Sequence, residues 1–333
     1  MTDRPSDHTA DWHAMVGFGE SHDEFAELGE ALTAGGPPPD GPSPLATAPL
    51  IIDTDLGGDP DDAFALAVAA LTVAELALVI TTDEAAGERA RFARYLLDLL
   101  GRPEVPVVSG ADLGNTRYFC VEGLAPAAVG TQPADVAAAV ETVCTRPGPV
   151  RWLGIGPVSN LAAMLTNRPD LAERFVVTQM GGALRYRDPA KAEHNFRLDP
   201  AAASRLLHDV RRPTLVMSDV TFNPAMEITR DSPLYHKLAA QDAPDWARVV
   251  KEHFDRWADR FHPGSMQHDA LALAAALLWP GIRFGRERVT LDDQARMRRD
   301  VNGVEVKVSL EADYGDFMNW LDARLVRQPA FRA

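Results

Sequence analysis

From about residue 48 onward, short apolar runs alternate with longer stretches in which apolar positions recur every three or four residues. Runs of the first kind read as buried strands, and stretches of the second kind read as helices. The strand candidates are PLIIDTD (49–55), LALVITT (76–82), VPVVSG (105–110), VRWLGIG (150–156), FVVTQMGG (175–182) and TLVMSDV (214–220). Between and after them lie the helical segments DDAFALAVAAL, ERARFARYLLDLL, ADVAAAVETVC, VSNLAAMLT, PAAASRLLHDV and DALALAAALL. Alternation of this kind builds βαβ units with right-handed crossovers. The pattern predicts an α/β fold: a mainly parallel open sheet with helices on both faces, Rossmann-like in layout. Residues 1–47 break the pattern, being polar and acidic and closing with GGPPPDGPSP (35–44), too rich in Pro and Gly to pack. They read as a disordered or loosely ordered extension ahead of a single domain over 48–333.

Composition narrows the partners. Forty-eight acidic residues against 33 basic ones give a formal charge of −15, which repels phosphate backbones and anionic membrane surfaces. Neither nucleic acid nor membrane is expected, and a neutral or cationic small molecule fits better. Cys120 and Cys144 show no metal-type or redox spacing and read as buried apolar residues in a reducing compartment. No apolar run approaches the roughly 20 residues of a membrane span, and the N-terminus has no basic region followed by an apolar one, so the expected location is cytoplasmic.

The chemistry concentrates where the first strand ends. In open parallel sheets ligands sit outside the carboxyl ends of the strands, and here that position carries DTDLGGDPDD (53–62). Asp53 and Asp55 are two apart on a strand and share a face, while Asp59, Asp61 and Asp62 fall in the following loop and first helical turn. One Asp alone would read as a helix cap. Five in ten residues, hinged on Gly57 and Gly58, read as a site for a hard cation, Ca²⁺ or Mg²⁺. An EF-hand loop is excluded, because Phe64 stands where its twelfth-position Glu belongs.

DTDLGGDPDDAFAL resembles the signature of the inosine-uridine-preferring nucleoside hydrolases, in the longer form associated with bacterial members. Four further motifs follow in that family's order: GIGPVSNLAAML (154–165), TQMGGAL (178–184), AEHNFRLDP (192–200) and MQHDALALA (266–274). The resemblance implies the nucleoside hydrolase fold, a bound Ca²⁺, and hydrolysis of ribonucleosides to ribose and free base. It makes Asp55, Asp62, Asp269 and the backbone carbonyl of Ile155 the metal ligands, with Asp55 also taking the proton of the attacking water. It assigns Asp61, Glu193 and Asn195 to the sugar hydroxyls and His268 to the leaving base as an acid. Asp53 orients the loop, and Asn160 ties a turn together. Asp59 has no counterpart, and a homodimer or homotetramer is implied. Two family Asn positions are missing, in DEAAGERA (83–90) and RYRDPAK (185–191), and Asp83 or Glu84 stands where the first belongs.

Breaking an N-glycosidic bond passes through an oxocarbenium-like state, which needs an activated water, negative potential near the sugar and help for the departing base. A carboxylate-bound cation beside Asp55 supplies the first two. A riboside-binding homologue without turnover and an aspartate-based phosphohydrolase, suggested by the DxD strand end, are the alternatives. The local rivals are capping roles: Asp199 reads as an N-cap of PAAASRLLHDV, and Asp269 as one of DALALAAALL. RVVKEHFDRWADRFHPGSM (248–266) has helical spacing, mostly core, and precedes the His-Asp pair, where it can close over the base.

Overall fold

A computed structural model describes residues 45–325 of the chain. The expectation of a loosely ordered extension falls, apart from residues 45–47, outside the described residues, and a compact unit begins at Ala48. Its centre is a nine-stranded sheet in the order β10-β9-β11-β6-β5-β4-β1-β2-β3. The strands are β1 (Leu50–Thr54), β2 (Leu76–Thr81), β3 (Val107–Ser109), β4 (Val150–Gly154), β5 (Phe175–Met180), β6 (Thr214–Val216), β9 (Ile282–Leu291), β10 (Met297–Arg299) and β11 (Val304–Ala312). A separate two-stranded ribbon joins β7 (Glu227–Thr229) to β8 (Gly264–Met266).

From β3 across to β11 every pairing is parallel, and only β9 runs the other way, antiparallel to both β11 and β10. The strands alternate their burial between two cores, as a sheet covered on both faces must. Leu50 and Ile52 of β1 join one core, with the helices Asp61–Thr72, Glu88–Leu99, Asp245–Arg260 and His268–Ala276. Ile51 joins the other, with Val136–Val143, Ser159–Asn167 and Pro200–Asp209. Both cysteines are free and buried, and no helix among the described residues is long and apolar enough to cross a membrane.

The expected strand over 214–220 is corrected: β6 ends at Val216, and Ser218–Thr221 form a helical turn. Asp219 there accepts the backbone N–H groups of Leu184 (2.8 Å) and Arg185 (2.9 Å), so the chain leaves the ladder to anchor the segment after β5.

Candidate active site

The order of strands places β1 and β4 side by side in the middle of the parallel part of the sheet, and their carboxyl ends open into a cavity of about 460 Å³. That volume suits a small organic molecule. Asp55, Asp59, Asp61, Asp62, Ile155, Glu193, Asn195, His268 and Asp269 all line it, so motifs spread over more than 200 residues meet in one place. Gly57 makes the sharp turn after β1 at φ +122°, where a Cβ would lie 2.7 Å from Val121 Cγ2. Gly156 lets the β4 loop close on Asp55: a Cβ there would lie 2.8 Å from the Asp55 amide nitrogen and 2.9 Å from its Oδ1.

Asp61 and Asp62 open the helix Asp61–Thr72, and Asp269 lies in the first turn of His268–Ala276. Each of the three offers a carboxylate oxygen within 4.8 Å of the others, and all three are buried. The Asp269 amide donates to Asp61 Oδ2 at 3.3 Å, and Thr54 Oγ1 donates to Asp62 Oδ1. Burial pushes their pKa values well above the ordinary carboxylate range, and the neighbouring carboxylates push them further. Burial also raises that of Asp55, against the pull of the Arg89 guanidinium. Buried like charges at this spacing are costly unless they share a cation. The donors are all oxygen and converge, so the residues fit a hard metal ion. The sequence reading placed Asp61 on the sugar; the structure brings it into this trio, with Asp55 and Ile155 on the same wall.

Behind the wall, Asn160 Nδ2 donates to Asp53 Oδ1 (2.8 Å) and to the Thr81 carbonyl (3.0 Å), and its Oδ1 accepts from the Ala111 amide (2.9 Å). One amide thus ties the end of β1 to the end of β2 and to the segment after β3. Asp53 is buried and pushed up to about 8, with burial outweighing the Asn160 hydrogen bond. Glu193 caps the short helix His194–Leu198, accepting from the amides of Asn195 (3.1 Å) and Phe196 (3.2 Å), and it reaches Gly182 N at 3.1 Å. Asn195 Nδ2 donates to the Met180 carbonyl at 3.1 Å. Asp199 is the expected cap of Pro200–Asp209, whereas Asp269 is not a cap, that position falling to Gln267.

His268 is half-buried, with Nδ1 2.7 Å from Thr221 Oγ1. Burial first, then the nearby Arg187 and His194, lower its pKa to about 3, which keeps the ring neutral near neutral pH. The same wall carries His194, lowered by burial to about 4, with Tyr118, Trp257 and Phe261 packed edge to face or tilted close by. The helix Asp245–Arg260 buries Trp246, Val250, Phe254 and Trp257 and brings Trp257 to the cavity, as its spacing suggested.

Sequence reasoning missed Arg89. It is buried, lines the cavity, and donates to the carbonyls of Asp55, Leu56 (3.1 Å) and Asp83 (2.7 Å). The signal was present, since Arg89 shares the inward face of Glu88–Leu99 with Phe92, Ala93 and Leu96. Asp59 also belongs to the site, hydrogen-bonded by Ser265 and pushed by burial up to about 7. Of the two acids standing at the first missing Asn, Glu84 is consumed locally, accepting the amides of Ala85, Arg89 and Ala90, while Asp83 lines the cavity.

The sequence profile of the inosine-uridine preferring nucleoside hydrolases matches residues 50–326. An uncharacterised protein of Schizosaccharomyces pombe is 27% identical over 280 residues, covering 77% of this chain and 88% of that one. The non-specific ribonucleoside hydrolase RihC of Klebsiella pneumoniae is 29% identical over 191 residues, 52% of this chain, and the match spans 62% of its length. Among solved structures, the plant nucleoside hydrolase PpNRh1 superposes with a TM-score of 0.71 at 20% identity, over 86% of this chain and all of that one.

Proposed function

Because this chain belongs to the inosine-uridine preferring nucleoside hydrolase family, we propose that it hydrolyses the N-glycosidic bond of ribonucleosides with bound calcium, releasing ribose and the free base. The observation that carries this reading is the convergence of Asp61, Asp62 and Asp269 beside Asp55 in a cavity of nucleoside size. The aspartate-based phosphohydrolase is set aside, since the match extends through every motif of the chain and not the DxD end alone.

In this reading Asp55, Asp62, Asp269 and the Ile155 carbonyl would hold the calcium, with Asp61 beside them. Bound there, calcium would supply Lewis acidity to a water and an anchor for the ribose cis-diol. Asp55 accepts the water's proton and Asp61 a ribose hydroxyl. Glu193 and Asn195, rigidly held by their backbone hydrogen bonds, orient the sugar, which turns the attack into an effectively intramolecular step. The acids around the ring supply negative potential for the oxocarbenium-like state. His268, neutral and fixed by Thr221, serves the departing base as a hydrogen-bonding partner. The protein is expected to act in the cytoplasm, in nucleoside salvage, as a homo-oligomer.

Asp55→Asn keeps the shape and removes the base. Ribose release followed by a reducing-sugar assay should fall by about 10²- to 10⁴-fold. Release at the parental rate contradicts the assignment.

A further inference from the structure

Three arginines line the cavity of a chain whose net charge is −15: Arg89, Arg187 and Arg197. Two are already engaged. Arg89 serves the carbonyls of Asp55, Leu56 and Asp83, and Arg197 donates to the Ala192 carbonyl (2.9 Å) and meets His194 Nδ1 (3.1 Å). Arg187 makes no ion pair or hydrogen bond among the described residues. Its guanidinium carbon instead lies 4.8 Å from the ring centre of Tyr186 and 4.7 Å from that of Phe222. Phe222 in turn stacks on the imidazole of His268, with centroids 6.3 Å apart and planes 16° apart. Two aromatic faces therefore hold a cation with unspent donors beside His268.

We propose that Arg187 is a further catalytic residue, the one that takes up the negative charge collecting on the leaving base. The inference rests on the hydrolase reading and adds a residue to it. As the C1′–N bond breaks, its electron pair passes into the heterocycle. The water oxygen bonds to C1′, its proton goes to Asp55, and the heterocycle regains a proton from solvent. A guanidinium offers five N–H donors and no acceptor, so it matches an exocyclic oxygen on which that charge accumulates. Exposed at the cavity rim but seated against two rings, it needs less reorganisation at the moment of cleavage than a free side chain.

The test compares two leaving groups in the holoenzyme: uridine, whose base needs the charge stabilised, and p-nitrophenyl β-D-ribofuranoside, whose nitrophenolate spreads its own charge. Arg187→Gln should lower kcat for uridine by about 10²-fold with little change in KM. Its effect on the nitrophenyl riboside should stay below about 3-fold. Arg187→Lys should lie between, and Phe222→Leu, which removes one supporting ring, should reproduce the selective loss in milder form. Equal losses on both substrates, or no loss on either, overturn the proposal. A parent that cleaves neither substrate fails at the hydrolase reading itself, a different result from an active parent with unselective variants.

Discussion

At the scale of single residues, the site depends on contacts that leave no room for an added atom. Gly156 lies against Asp55 so closely that a methyl group would press on both the backbone nitrogen and the carboxylate of this proposed general base. Gly156→Ala should therefore lower kcat by about 10²-fold, the scale of a roughly 1 Å misplacement, while the melting temperature falls by only a few degrees. Steady-state kinetics beside a thermal melt checks this, and an unchanged kcat would show that Asp55 does not need its observed position. Single residues also mark where sequence reasoning stopped. The cap formed by Asp199 was legible because a short polar side chain before an amphipathic run has few other uses. Arg89 was passed over because its helix was read for apolar periodicity, and a charge on the inward face was not counted as information.

At the scale of elements, the segment from Asp53 to Asp62 gathers five carboxylates. Burial raises Asp53 to about 8 and Asp59 to about 7 from an ordinary 3.8. Without a cation, the folded state keeps protons that the unfolded chain has released across roughly pH 4 to 8. The resulting stability is fully present below about pH 4 and is lost as pH rises toward the folded values. The melting temperature of chelator-treated protein should thus fall between pH 6.5 and pH 8, above the range in which the lowered pKa values of His194, His253 and His268 act in the opposite sense, and calcium should recover more of it at pH 8 than at pH 6.5. A melting temperature that rises over that range in the metal-free protein would contradict the charge balance described. Elements were legible in proportion to their burial. The six strands β1 to β6 stood out as apolar runs, with ends within a few residues of those found. The β9–β11 pair did not, because as a half-solvated antiparallel ribbon it alternates apolar and charged positions, as in VEVKVSLEA, and forms no continuous apolar run. The β7–β8 ribbon, three residues a side, is too short to carry any period.

For the whole molecule, parallel topology does the assembling. Asp55, Ile155, Asn195 and Asp269 are far apart in sequence and share a cavity only because β1, β4 and β5 are neighbours and the helix His268–Ala276 packs against β4 and β5. The order of motifs made that meeting readable in advance, whereas the aromatic and basic wall from Tyr118, Trp257 and Arg187 follows from loop packing that no local pattern encodes. The measurement that tests the account most directly is the rate of ribose release from a panel of ribonucleosides before chelation, after it, and after calcium is restored. Calcium-dependent hydrolysis predicts release that disappears with the chelator and returns with calcium. Release indifferent to chelation would contradict the metal site, and a calcium-loaded protein that cleaves no ribonucleoside would contradict the function.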